Sequence, residues 1–413
     1  MEVPGLPDSN LVNAIHPIFK PDRWAKGYEQ HTQSFYHRME PALQLASRFI
    51  TEDCTLPWFH HITQGHRKYD KDSGNTRVFV APAHTEHSGA GKKKTKEIFQ
   101  RLSRVITFMF VPRKYRNTKH GSAYGVTAHS RHGFEWSHHF HNRDWPLIDE
   151  SWKAHKHDKP CIAMNAQFQD YFYGGDENAT PSQRYRMWFL FAVTIVHETA
   201  HAYYFWLRRR HNQEFDGKEP LWNKFQNRAE LGFSWELITL GRVMNPLFNK
   251  IWPNYNLLAS IQTELFYHEC ERQHKMREIF GTTNISFERI SEGIANWCGQ
   301  VPSTTWHGYD FWVHGGERPD MNCISVVHVI PVRWIADWFS EQEWIKKQRV
   351  WRETRTWTPP PLGPTFMLVY NRDRRGHASL HFAKLADLDP YLHAAHGQTH
   401  GIGLHDDYRD FEC

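Results

Sequence analysis

Apolar positions along the chain form two kinds of pattern. A stripe at helical spacing crosses residues 34–50, where Met39, Leu43, Ala46 and Ile50 recur every three or four positions. Residues 96–102 and 333–339 carry shorter helical stripes. β-Branched and aromatic runs at 76–81, 105–111, 161–165, 324–330 and 366–370 predict strands. The longest apolar run, residues 187–196, opens a stretch to residue 207 that reads MWFLFAVTIVHETAHAYYFWL. It holds no Gly or Pro and predicts a buried helix, opened at Ser182 just after Pro181. Residues 222–240 predict a second helix, which Gly241 is placed to end. Residues 256–280 are also helix-like. The His-dense stretch 118–158 reads as a polar surface loop, and 356–364 as a Pro-rich linker.

These elements predict an α+β chain with a small mixed sheet, a motif-bearing helix and a mainly helical second half. Residues 1–70 read as an N-terminal arm, 71–345 as the main domain, and 346–413 as a Pro-rich linker with a His-rich C-terminal extension.

Composition narrows the class. The chain has 413 residues, 40% apolar and 15% aromatic, which supports an ordered core. Its net charge of +5 is mild, and the basic runs at 92–94 and 208–210 are short. A solvated loop and a helix end explain them, so no nucleic-acid partner is expected. The six cysteines form no C-x-x-C pair. No signal segment opens the sequence and no apolar run is long enough to cross a bilayer, so no membrane partner is expected and a cytoplasmic location is. Gly89, Gly91 and Lys92 lie in a polar loop, 84–94, that only superficially matches a phosphate loop. Such a loop needs Gly at 86 and Ser or Thr at 93, where Glu86 and Lys93 stand.

The candidate chemistry lies inside the long apolar helix. His197, Glu198 and His201 spell H-E-x-x-H. Residues four apart share a helix face, so both imidazoles can reach one metal ion with Glu198 beside it. A chain of this His content yields the pattern by chance roughly 0.1 times, so the apolar setting matters. A buried Glu with two buried His is costly without a partner, and Zn²⁺ is such a partner. Glu198 is then the catalytic candidate, as general base.

A catalytic zinc takes a third protein ligand and keeps one position open. Glu230 and Glu236 are the leading candidates, six apart on the second helix, so they cannot both bind. Glu230 is preferred, and Glu236 is an alternative ligand or a residue that orients a ligand His. His211 and Glu219, in the polar connection, are less constrained. A His at 207 would mark the metzincin pattern, and Leu207 stands there. Candidates for steadying an oxyanion are Tyr203, Tyr204, His268, His307 and His314. Residues 161–165, a strand shortly before the motif helix, are the candidate sheet edge for an extended substrate.

The motif HETAH followed by AELGFSWE resembles the gluzincin layout of thermolysin-like zinc metallopeptidases. More narrowly it is similar to a group of fungal HExxH proteins, in which a later segment resembles 327–344. The likeness spans roughly residues 160 to 345. It implies a zincin-like fold, Zn²⁺ as cofactor, His197, His201 and Glu230 as ligands, and Glu198 as general base. The thermolysin-type helix carries an Asp four residues after its ligand Glu; here Ser234 stands there.

The expectation is therefore a zinc-dependent hydrolase, a metallopeptidase acting on a peptide or amide substrate. Two rivals use the same scaffold: an inactive zincin-like binding protein, and a tailoring hydrolase acting on a small molecule.

Overall fold

In a computed structural model of the chain, the described residues are 5–27, 31–71, 74, 77–83, 89–118, 120–121, 123–148, 159–175, 177–207, 218–224, 229–241, 243–244 and 330–360, with the backbone of five strands beyond them. They fall into two compact units. One comprises Met1–Leu240 with Val332–Thr358, the other Gly241–Pro331 with Pro359–Cys413. Helices and small sheets are mixed, as an α+β chain requires.

The first unit holds α1 (Thr32–Thr51), α2 (Pro57–Gln64), β1 (His66–Tyr69), β2 (Val78–Ala81), α3 (Gly89–Leu102), β3 (Thr107–Phe110), β4 (Gly125–Ala128), β5 (Cys161–Met164), α4 (Ala166–Asp170), α5 (Pro181–Leu207), α6 (Leu231–Leu240), α7 (Val332–Asp337) and α8 (Glu341–Thr354). Residues 1–70 thus share a unit with the motif helix, and α1 packs along α5.

At 27 residues, α5 is the axis of this unit, with burial running round the helix instead of along one stripe. It begins at Pro181, two residues earlier than a Ser182 cap predicts. Thr180 supplies the cap: its Oγ1 accepts the Gln183 N–H at 3.3 Å, and Gln183 Oε1 accepts the Thr180 N–H at 2.8 Å. This reciprocal box satisfies two orphan donors at once. In the last three turns only His197, His201 and Phe205 are not fully buried, at intervals of four.

A three-stranded sheet lies against α5 in the order β3-β5-β4. β3 runs parallel to β5, and β4 antiparallel to it. The outer side of β3 is covered, because Trp24 bridges to Phe108 and the Ala25 N–H donates to the Phe108 carbonyl at 2.7 Å. β4 therefore forms the edge. The reading of 161–165 as an edge strand does not hold: β5 is paired on both sides and fully buried. Its all-apolar run is what a central strand needs.

Other departures have local causes. Residues 89–94 are the first turns of α3, where Lys92 and Lys96 pair with Asp53 at 3.0 and 2.9 Å. The His-dense stretch contains β4, which polar neighbours hid. Of the helix predicted over 222–240, the described residues are helical only over Leu231–Leu240, and 222–224 follow Leu221, which pairs with β2. Gly241 ends α6 with φ +78°, as its place predicts. The two described cysteines with visible thiols, Cys54 and Cys161, are buried and unbridged.

The second unit contains a five-stranded antiparallel sheet. Its strands are β6 (Ile261–Phe266), β7 (Gln300–Pro302), β8 (Cys323–Val329), β9 (Phe366–Arg372) and β10 (Ala378–Lys384), in the order β6-β8-β9-β10-β7. The helical reading of 256–280 fails over β6, and the second half is not mainly helical among the described residues. β6 pairs with β8, which lies some 60 residues further on, and such a pairing leaves no trace in local periodicity. No helix among the described residues is long and apolar enough to cross a membrane.

Candidate metal centre

α5 carries His197 and His201 on the partly open stripe of its last three turns. Their ring centroids are 5.1 Å apart. Glu230 completes a cluster in which one ligand atom from each residue lies within 4.8 Å of the others. Its Oε1 stands 3.1 Å from His197 Nε2 and 2.7 Å from His201 Nε2.

Glu230 is not inside the second helix. It immediately precedes α6, with its carbonyl accepting the Ser234 N–H and its Oε2 accepting the Phe233 N–H. One carboxylate oxygen thus caps α6 while the other faces the histidines. Orphan N–H groups at a helix start favour a carboxylate, so capping fixes the rotamer that presents Oε1.

Both outer imidazole nitrogens are held by carboxylates. His197 Nδ1 lies 2.6 Å from Glu236 Oε1, and His201 Nδ1 lies 2.5 Å from Glu219 Oε1. A carboxylate on Nδ1–H fixes the tautomer in which Nε2 is the free ligand atom. Glu236 lies outside the metal-type group and supports His197 through Nδ1 instead. Ser234, where the thermolysin layout has Asp, accepts the Trp58 indole N–H at 2.8 Å. Glu219 is the residue the sequence placed least well. Nothing local marks it, since it meets His201 from 18 positions further along the chain.

The electrostatics follow from this packing. Burial pulls the His197 imidazole down, yet Glu230 and Glu236 outweigh it and raise its pKa to about 10. Burial also opposes charging of His201, but Glu219 and Glu230 raise it well above its usual value. Burial would raise Glu230, and the two imidazoles instead hold it well below the usual carboxylate range. Three carboxylates around two neutral imidazoles would leave charge −3 in a nearly closed space. Two protons on the imidazoles, or one divalent cation between them, supply the same +2. The donor set of two nitrogens and one oxygen suits Zn²⁺.

Glu198 projects beside this cluster and is 5% exposed. Thr127 of β4 donates to its Oε2 at 2.6 Å and lies 3.0 Å from its carbonyl oxygen. Its Oε1 has no hydrogen-bond partner among the described residues. Gly125 makes this approach possible, for a Cβ there would stand 2.6 Å from Glu198 Cγ and 2.9 Å from Thr194 Cγ2. Gly232 does the same on the other side. A Cβ there would overlap Nε2, Cδ2 and Cε1 of His197, so only glycine lets α6 lie on that ring.

The oxyanion candidates divide. Tyr203 is fully buried and its hydroxyl meets Thr63 Oγ1 at 2.5 Å, facing the core. The Tyr204 hydroxyl donates to the Lys218 carbonyl at 3.3 Å. His268, His307, His314 and His211 lie outside the described residues. In the His-dense stretch, His129 packs against Phe205 with the rings tilted by 39°, and the Tyr115 hydroxyl meets His139 Nε2 at 2.7 Å. Among the described residues, His197, His201 and Glu230 are the one metal-type group.

No family model matches this sequence, and no match to it is found among the curated proteins or the solved structures.

Proposed function

We propose that the chain is a zinc-dependent hydrolase of zincin-like organisation, acting as a metallopeptidase on a peptide or amide substrate. The observation that carries the reading is the convergence of His197 Nε2, His201 Nε2 and Glu230 Oε1, with Glu198 on the same helix. Those three atoms would hold the metal. A zinc ion there supplies Lewis acidity, which polarises a carbonyl oxygen and acidifies a neighbouring water.

The chain's own residues do the rest. Glu198 accepts the water's proton at Oε1 and hands it to the leaving amine, while Thr127 holds Oε2. Glu219 and Glu236 keep both imidazoles in one tautomer.

The sheet edge supports an extended substrate. The Asn165 N–H donates to the Tyr124 carbonyl, so in this ladder the backbone groups of Gly125 and Thr127 point away from β5. They offer an extended peptide a strand to pair with, next to Glu198.

The test measures zinc per chain and cleavage of a mixed peptide pool. Wild type is expected to hold about one zinc and to cleave. Glu198→Gln is expected to keep the zinc and to lose turnover. Full activity in Glu198→Gln would sink the mechanism, and a wild type that binds no zinc would sink the reading.

A further inference from the structure

One carboxylate at the centre stands outside both sequence motifs. Glu219 comes from the connection between α5 and α6, and its side chain is only 14% exposed. A carboxylate that buried is costly unless its oxygens are partnered. Both are: Oε1 lies 2.5 Å from His201 Nδ1, and Oε2 accepts the Leu231 N–H at 3.1 Å.

We infer that Glu219 is a positioning residue of the metal centre, aligning His201 through Nδ1 with one oxygen and seating the first turn of α6 with the other. This rests on the metal-centre reading above.

Geometry separates this role from that of a ligand. The imidazole ring stands between Glu219 and Nε2, so the carboxylate cannot share a cation held at Nε2. The metal-type group correspondingly contains His197, His201 and Glu230 only, among the described residues.

The scaffold, and not the metal, places Glu219. Leu221 is strapped to the edge of β2 by two backbone hydrogen bonds. Its N–H donates to the Val78 carbonyl at 2.8 Å, and its carbonyl accepts the Val80 N–H at 3.0 Å. His61 Nε2 sits 2.9 Å from the Trp222 carbonyl and 3.1 Å from that of Val80, closing the strap. On the other side, the Lys218 carbonyl accepts from the Tyr204 hydroxyl of α5. Glu219 is therefore held from both flanks before it meets His201.

The consequence is a linkage. Leu231 N–H is met by Glu219 and Phe233 N–H by Glu230, so two N–H groups in the first turn of α6 donate to carboxylates of the centre. From inside α6, Glu236 returns to His197. Displacing Glu219 frees His201 to rotate and loosens the helix that carries the support of His197.

The experiment compares wild type, Glu219→Gln and Glu219→Asp. Gln keeps the shape but loses the charge and puts an amide where two acceptors are needed. Asp keeps the charge but is one methylene short of spanning His201 and Leu231. Zinc affinity is measured by chelator competition. The visible spectrum of the cobalt(II)-loaded protein reports ligand geometry, and amide exchange reports the Leu231 N–H. Each variant is expected to bind zinc 10- to 100-fold more weakly, the usual loss for an outer-shell partner. The cobalt spectrum is expected to change, and exchange at Leu231 to speed up.

Wild-type zinc affinity with an unaltered cobalt spectrum in both variants would overturn the inference and leave the metal centre standing. A loss of thermal stability alone, without those changes, would also overturn it, by making Glu219 merely structural. Zinc binding absent from wild type would overturn the metal-centre reading and this inference together.

Discussion

Thr127 Oγ1 donates to Glu198 Oε2 at 2.6 Å, joining the edge strand β4 to the carboxylate of the H-E-x-x-H motif. A hydrogen bond to a buried charged group is worth about 1.5–3 kcal/mol. Removing it lets the carboxylate turn away from its working position. Thr127→Val, which keeps the shape, is expected to lower kcat about 10- to 100-fold with zinc content unchanged. Thr127→Ser keeps the hydroxyl and is expected to stay near wild type. Equal rates for Val and wild type would show that Thr127 does not hold the base.

Gly232 lies against the face of His197, where a Cβ would overlap three ring atoms. The ring cannot retreat, since Glu236 holds Nδ1 and Phe233 packs 5.1 Å away, centroid to centroid. Overpacking of this kind costs about 1–3 kcal/mol. Gly232→Ala is expected to weaken zinc binding at least about 10-fold, measured as metal retained after dialysis against a chelator. Full retention would mean that α6 can shift away from His197 without harm.

His16 makes the stability of the fold depend on pH. It is buried, its Nδ1 accepts the Ile18 N–H at 3.2 Å, and Gln100 Nε2 lies 3.2 Å from its Nε2. Burial lowers its pKa from 6.5 to about 4. The unfolded chain therefore takes up this proton first as the pH falls. The contribution is fully present above about pH 6.5 and is lost progressively on acidification toward pH 4, amounting to about 3 kcal/mol. His16→Asn retains an acceptor for Ile18 but cannot titrate. The urea midpoint of wild type should fall more steeply than that of His16→Asn between pH 7.5 and 4.5. Parallel curves would assign the acid sensitivity to other groups.

Much of the centre was legible along the chain, for reasons of short range. His197, Glu198 and His201 fall within one turn of a helix, so spacing alone brings them together. The apolar run that surrounds them predicts the burial observed for α5. The core strands β3 and β5 were visible as β-branched and aromatic runs, and Gly241 as a helix end.

The rest depends on pairs that local pattern does not encode. Glu219 meets His201 across 18 residues, Glu236 meets His197 across 39, and Thr127 meets Glu198 across 71. Periodicity reports which face of one element a residue occupies. It does not report which loop closes against that face. Glu230 shows the boundary. Its identity was within reach of the sequence, but its place was not: it acts from the cap of α6, where one oxygen satisfies the helix and the other turns to the histidines. The same holds for the edge strand, since β4 and β5 are distinguished only by which one has a neighbour on both sides. The sequence determined the helix that carries His197, Glu198 and His201 and the burial around it. Only the tertiary structure decided which carboxylates stand behind the histidines and which strand lies at the sheet edge beside Glu198, because both are set by how distant segments close on one another.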